Sequence, residues 1–246
     1  MRAVVLAAGK GTRMREITES IPKPLVEVGG QPVLWHVLRA LAGAGVSEAA
    51  IIIGYKGEKI RSCIRDGKDV GLKVRYFMQE VQDGTGRAAE PARDFLSGGP
   101  FFLTFGDILM KASAYRRMAD ERGAHPTDLL LAVRWVEDPH RGGAVTLDGD
   151  RITEIVEKPP EGTATTHWIN AGVLIADPVL FEYTSRLSLS PRGEYELPDA
   201  MRMMIREGRS VEAFRLESYW RDIGTPEDLA EASRDANERD DVLPDT

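Results

Sequence analysis

Apolar residues gather first in a short block with a β-branched centre, RAVVLAA (2–8), which predicts a buried strand. Two more such blocks follow, AAIIIG (49–54) and FFLTFGD (101–107). Between them the period changes. In QPVLWHVLRALAGAG (31–45), Leu34, Val37, Leu38 and Leu41 recur at helical spacing, Pro32 suits the first turn, and Gly43 and Gly45 end the helix. GEKIRSCIRD (57–66) predicts a helix, KVRYFMQE (73–80) a strand, and GRAAEPARDFL (86–96) a helix whose pattern Pro91 weakens. The stretch 9–30 reads as loop. Strand and helix in alternation imply a mainly parallel sheet with right-handed crossovers and helices on both faces.

The second half is richer in strands. DLLLAVRWV, GAVTLDGDRITEIVEK and HWINAGVLIA are strand segments, and the Gly149-Asp150 turn in the second signals a hairpin. EYELPDAMRMMIREG is a helix and SVEAFRL a strand. TPEDLAEASRDANER closes the chain as a helix, with Thr225 as N-cap, Pro226 at the first position and Glu227 and Asp228 in the first turn. One domain with a cleft is expected over 1–238, split near residue 110 into a parallel half and a β-rich half. Residues 239–246 are expected to be a disordered tail.

Composition narrows the partners. The net charge of −7 argues against a nucleic-acid binder but leaves room for a small anion held by a few local cations. Cys63 is the only cysteine, so neither an internal disulfide nor a cysteine zinc site is expected. The apolar opening ends at Gly9, Lys10 and Arg13, too early for a secretory leader, and no run has the length of a membrane span. No membrane partner and a cytoplasmic location are expected; homo-oligomerisation is left open.

The turn LAAGKGTRM (6–14) follows the first strand. It is not a P-loop, because Lys10 is followed by Gly11, and it is not a dinucleotide turn, because Met14 takes the last glycine's place. What remains, G-x-G-T-R, can cradle phosphate oxygens on backbone N–H groups and grip them with Arg13; a tight turn with a surface arginine is the alternative. In PKPL (22–25), two prolines stiffen the backbone around Lys23. A polyproline-like loop with a solvated lysine is the alternative there. Asp107 ends an apolar strand and could cap a following helix instead of holding a metal. Asp222 has no capping duty, since Thr225 has it, and needs a partner or a metal; a salt bridge to Arg221 is its alternative.

LAAGKGTRM…IPKPLVEVGGQPVLWHVL resembles the signature of the sugar-1-phosphate nucleotidyltransferases, the NDP-sugar pyrophosphorylases. The resemblance runs along nearly the whole chain. YFMQEVQDGTG (76–86) is similar to the family's base-recognition segment, FGD (105–107) to its first metal aspartate and VEKP (156–159) to its sugar-phosphate lysine motif. NAG (170–172) resembles the sugar pocket, and WRDIGTPEDL (220–229) the second metal aspartate with its helix. Each match is weak alone; the order and spacing together are strong.

The resemblance implies a Rossmann-like three-layer nucleotide-diphospho-sugar transferase fold, with 1–110 as the nucleotide-binding half and 111–238 as the sugar-phosphate half. It implies transfer of a nucleotidyl group from an NTP to a sugar-1-phosphate, with Mg²⁺ as cofactor. Arg13 and Lys23 are the implied catalytic cations. Leu6, Ala8, Gly9, Gly11, Thr12, Gln79, Gly84, Thr85 and Gly106 are implied to bind the nucleotide. Gly143, Glu157, Lys158, Asn170 and Gly172 would bind the sugar phosphate, and Asp107 and Asp222 the metal.

Adjacent strand residues point to opposite faces, so Glu157 and Lys158 share one pocket only if the strand twists or opens there. Gln79 suits a pyrimidine edge, which favours UTP or dTTP and leaves CTP or GTP open. The family's usual tyrosine before Gly143 is Gly142 here. A non-catalytic sugar-nucleotide sensor on the same fold, or a glycosyltransferase with a similar nucleotide half, is the alternative. Keeping Arg13, Lys23, Asp107 and Asp222 together favours the enzyme.

Overall fold

The computed structural model describes residues 1–14, 16–239 and 242–243. Its strands are β1 (Arg2–Ala7), β2 (Glu27–Val28), β3 (Gln31–Pro32), β4 (Glu48–Ile53), β5 (Lys73–Met78), β6 (Phe101–Phe105) and β7 (Ile108–Met110) in the first half. The second half adds β8 (Leu129–Trp135), β9 (Gly143–Asp148), β10 (Arg151–Glu157), β11 (Trp168–Ala176), β12 (Val211–Arg215) and β13 (Trp220–Asp222). Nine of them form one sheet in the order β5-β4-β1-β6-β11-β8-β12-β10-β9. β1 pairs in parallel with both β4 and β6, and β5 continues parallel beyond β4. β11 runs antiparallel between β6 and β8, after which β12 is again parallel to β8. The first-half strands thus form a parallel block, as the alternation of strand and helix predicts, while the strand-rich second half pairs mostly antiparallel, β10 with both β12 and β9.

Helices cover both of its faces, and that is why the central strands read as unbroken apolar runs. Helices Val33–Gly43, Ala112–Ala124 and Pro226–Glu238 close one core; Arg93–Leu96, Leu180–Thr184 and Leu197–Arg206 close the other. Val4, Val5, Ile51, Ile52 and Ile53 have no exposed surface. Each such side chain contributes roughly 1.5–3 kcal/mol by leaving water.

Several local expectations are corrected. The helix expected from residue 31 starts at Val33 with Pro32 as its N-cap, because Gln31 and Pro32 pair with Glu27 and Val28 in a two-rung ladder. The helix expected over 86–96 shrinks to a 3₁₀ turn at Glu90–Ala92 and a helix at Arg93–Leu96. Pro91 lacks the N–H a longer helix needs, and Gly86 donates its own N–H across the molecule to the Tyr195 carbonyl. The loop 9–30 contains a short helix, Glu16–Ser20. Helix Ala112–Ala124 and the three-rung β7–β13 ladder are not predicted from the sequence pattern. Of the expected tail, residues 240, 241 and 244–246 lie outside the described residues. Within it Val242 is buried, and Leu243 lies so close over Gly29 that a Cβ there would come within 2.6 Å of its Cδ1.

Candidate functional site

In parallel sheets ligands collect beyond the carboxyl ends of the strands. Here the ends of β1 and β6 open into a cavity of about 440 Å³ lined by Leu6, Ala8, Gly9, Lys10, Gly11, Thr12 and Arg13 from the first turn. Lys23, Gln79, Gly84, Thr85, Phe105 and Asp107 complete it, with Gln82 and Glu194, which the sequence reading does not single out. A second hollow of the same volume is lined by Ile17, Ile21, Leu25, Cys63 and Leu229, with Glu27 as its ionised group, and so offers nothing to a polyanion. Gly106 does not line the site cavity; its N–H donates to the Leu6 carbonyl (2.9 Å), tying β6 to β1 just behind it.

The first turn owes its shape to close approach. Gly11 has φ of +65°, and a Cβ there would come within 2.9 Å of the Lys23 Cβ and 3.1 Å of the Thr18 methyl. Thr12–Met14 then forms a 3₁₀ turn that sinks Met14 into the core and leaves Arg13 at the surface of the cavity.

Lys23 lies between Pro22 and Pro24 in a 3₁₀ turn, not a polyproline stretch, and is only 8% exposed. Its ammonium pairs with Asp107 Oδ2 and lies 3.7 Å from Asp222 Oδ1. The β7–β13 ladder makes this meeting possible. Ile108 pairs with Asp222, and the Ile223 N–H donates to the Asp107 carbonyl (3.0 Å). Asp107 caps no helix, since the next begins at Ala112 with Lys111 as N-cap. Arg221 turns away from Asp222 toward Glu231 (2.5 Å) and Asp235 (3.1 Å), which pins β13 to the closing helix. Thr225 and Asp228 form a full capping box at that helix. Gly224 leaves room at the centre: a Cβ there would meet Asp228 Oδ2 at 3.2 Å, Arg13 Nη1 at 3.4 Å and Asp222 Oδ2 at 3.5 Å.

The charges respond to this crowding. Burial pulls the Lys23 ammonium down, but Asp107 and Asp222 outweigh it and its pKa rises. Desolvation, then the Asp107 carboxylate, push Asp222 up to about 6 against the pull of Lys23 and Arg13. The Asp222 side chain keeps 44% of its surface, so the like charge of Asp107 is the cause that best fits the geometry.

Toward the β9–β10 hairpin, a Cβ on Gly143 would lie 3.1 Å from Glu157 Oε2 and 3.5 Å from the Asn170 Cβ, so these three adjoin. Lys158 has φ of +45°, which breaks the strand's alternation and lets its Nζ turn back to within 3.8 Å of Glu157 Oε1. Gly172, at φ +74°, donates its N–H to Asn170 Oδ1 (2.8 Å), and any side chain there would strike Ile108 and Phe105. Arg192, which the sequence reading misses, faces Glu157 (3.5 Å), Glu194 (3.2 Å) and Glu196 (3.4 Å). It therefore bridges the Glu157 group to the cavity wall. Burial first, and Glu196 further, raise the Glu157 pKa against Lys158 and Arg192.

On the opposite wall Gln79 is 8% exposed, and its Nε2 donates to the Gly84 carbonyl (3.3 Å). Gln82 Nε2 in turn donates to the Gln79 carbonyl (2.9 Å). The Thr85 hydroxyl accepts the Leu197 N–H (3.2 Å), at the start of a helix that has no side-chain cap of its own.

Asp107 and Asp222 together present hard oxygen donors to one point, beside the cations Lys23 and Arg13. That donor set fits a magnesium-type ion, which takes one or two carboxylates and completes its shell with phosphate and water. Among the described residues no group of three or more His, Cys, Asp or Glu gathers for a metal, so an all-protein cage is not what this site offers. No described helix is long and apolar enough to cross a membrane.

A family model described as nucleotidyl transferase matches residues 2–239. The chain belongs to the nucleotidyl transferase family. The UTP–glucose-1-phosphate uridylyltransferase AglF of Haloferax volcanii is 36% identical over 237 residues, covering 95% of this chain and 96% of the relative. The same organism's low-salt glycan biosynthesis nucleotidyltransferase Agl11 is 33% identical, and the glucose-1-phosphate thymidylyltransferase of Streptomyces griseus 32%. The chain covers 65% of each of these two and 54% of the bifunctional protein GlmU of Methanococcus maripaludis. A Bacillus anthracis structure described as a glucose-1-phosphate thymidylyltransferase in complex with sucrose superposes with a TM-score of 0.87. The match covers 98% of this chain and 97% of that one at 25% identity.

Proposed function

We propose that this nucleotidyl transferase joins an NTP, with UTP or dTTP favoured, to a hexose-1-phosphate, releasing pyrophosphate. The observation that carries the reading is the meeting of Arg13, Lys23, Asp107 and Asp222 around Gly224, at the mouth of a glycine-lined cavity. A site for two polyanions needs cations aimed at both and a carboxylate pair for a divalent ion.

A sugar-phosphate oxygen attacks the α-phosphorus and forms the new P–O bond. The bond from the α-phosphorus to the bridging oxygen breaks, and pyrophosphate leaves with its electron pair. The attacking phosphate is already anionic near neutral pH, so no general base is required. Catalysis is positioning and charge neutralisation. Arg13 holds the departing pyrophosphate, beside backbone N–H groups of Gly9–Thr12. Lys23 stands between the α-phosphate and the incoming phosphate. Asp107 and Asp222 would hold Mg²⁺, which when bound would supply further neutralisation of phosphate oxygens.

Lys158, Glu157, Gly143, Asn170 and Gly172 receive the sugar phosphate, and Arg192 adds a cation there. The carbonyl oxygen of Gln79's side chain is left to accept from a base N–H, which favours uracil and thymine.

The test incubates the protein with UTP, dTTP, CTP, GTP or ATP, glucose-1-phosphate and Mg²⁺, and measures pyrophosphate. Release with UTP or dTTP supports the reading; no release with any NTP across a panel of sugar-1-phosphates overturns it.

A further inference from the structure

The base-side loop, residues 83–87, and the sugar-side loop, residues 190–197, are built as one piece. Tyr195 donates its N–H to the Asp83 carbonyl (2.8 Å), and the Tyr195 carbonyl accepts the Gly86 N–H (2.8 Å). Thr85 receives the Leu197 N–H on its hydroxyl. Arg87 then locks the pair from outside. Its guanidinium lies 3.7 Å from the centroid of the Tyr195 ring, and its Nη2 donates to the Leu187 carbonyl (3.2 Å).

The fit leaves no slack. A Cβ at Gly84 would lie 2.8 Å from the Tyr195 nitrogen, and one at Gly86 3.0 Å from the Glu196 and Tyr195 carbonyl carbons. Neither loop can shift without moving the other.

The two ends of this unit face different substrates under the reading above, on which the inference rests. Gly84 and Thr85 line the nucleotide cavity, together with Glu194 from the other loop. Arg192, three residues before Tyr195, pairs with Glu157, itself beside Lys158. A continuous set of contacts therefore runs from the base pocket through Tyr195 to the sugar-phosphate cations.

We propose that Arg87, stacked on Tyr195, is a positioning residue through which nucleotide and sugar phosphate each strengthen the other's binding. Ordering loop 83–87 around a base orders loop 190–197 at the same time, so the second ligand meets an organised Arg192 and Glu194. By linkage the effect is reciprocal. Arg87 does not line the cavity. It acts through the cation–π stack on Tyr195, held in place by the bond to the Leu187 carbonyl.

The experiment is calorimetric titration of the full chain with Mg²⁺ present. Glucose-1-phosphate is titrated with and without α,β-methylene-UTP or α,β-methylene-dTTP, whose P–C–P bridge cannot be broken by the transfer. The coupling is the ratio of the two glucose-1-phosphate affinities. Expected is a fall in that ratio of at least about fivefold in Arg87→Met, with the nucleotide analogue's own affinity kept within about twofold. Arg87→Lys, which keeps a cation over the ring, restores part of it. Tyr195→Leu removes the ring but keeps the backbone bonds, and loses the coupling as Arg87→Met does; if one of the two variants does not fold, the other decides. A ratio equal to wild type in the folded variants overturns the proposal while leaving the nucleotidyl-transfer reading intact. A wild-type protein that binds neither ligand overturns that reading and the proposal with it.

Discussion

Asp107 and Asp222 meet on one ammonium: Lys23 Nζ pairs with the first and lies 3.7 Å from the second. The arrangement follows from a ladder of three residues on each strand, in which Ile108 faces Asp222. Lys23 thus has a structural role as well as a chemical one, because without it two carboxylates face each other across a partly dry crevice.

Lys23→Met is expected to destabilise the metal-free protein by about 2 kcal/mol, less than the ~3–5 kcal/mol of a fully buried broken pair because Asp222 is partly exposed. Mg²⁺ then recovers much of the loss. Urea unfolding with and without Mg²⁺ checks this; a metal-free stability equal to wild type contradicts the pairing.

The carboxylates themselves are expected to set the metal requirement. Asp107→Asn and Asp222→Asn each lower turnover by about 10²–10³-fold, the usual effect of removing one preorganised charge-stabilising group. Pyrophosphate release measured against Mg²⁺ concentration checks it. Activity near wild type in either variant removes that residue from the metal site.

Glu157 gives a pH signature. Burial raises its folded-state pKa above the unfolded value, so the folded protein binds the proton more tightly. Stability attributable to this group is present at low pH. It is lost as pH rises from the unfolded value, near 4.3 for an ordinary glutamate, through the raised folded one. Glu157→Gln therefore melts higher than wild type at pH 8, and the gap closes toward pH 4. The same variant raises KM for the sugar phosphate. Thermal melts across that range and steady-state kinetics check both; a variant that melts lower at pH 8 contradicts the reading.

The capping box at the closing helix is expected to matter for β13. Thr225→Ala removes a side-chain oxygen that accepts the Asp228 N–H (3.2 Å) and costs about 1 kcal/mol, in the usual range for a lost N-cap. Urea unfolding measures it.

Legibility in the sequence tracked the kind of force involved. Val4, Ile52 and Phe102 sit in central strands because apolar runs must be covered on both faces, and that pattern is visible in one dimension. Thr225 declared its helix because caps are local. The β7–β13 ladder was not legible, since three residues give no period to read. Helix Ala112–Ala124 buries a narrow face, Ala114, Tyr115, Met118 and the charged Arg122, beneath many charges. The clasp between Gly86 and Tyr195 is made of backbone groups, which no residue type announces. Arg192 lies in an irregular stretch with no period to single it out, although its acid partners Glu194 and Glu196 are close in sequence. Lys158 was legible as a motif, but the left-handed turn that brings it beside Glu157 was not.

The most direct test of the account follows the α-phosphate. The protein is given UTP or dTTP labelled at the α-phosphorus, with glucose-1-phosphate and Mg²⁺. The account predicts that the label passes into a nucleotide–sugar in step with unlabelled pyrophosphate, and that neither forms without the sugar phosphate. Label appearing as free nucleoside monophosphate, or pyrophosphate released at the same rate without glucose-1-phosphate, would contradict it.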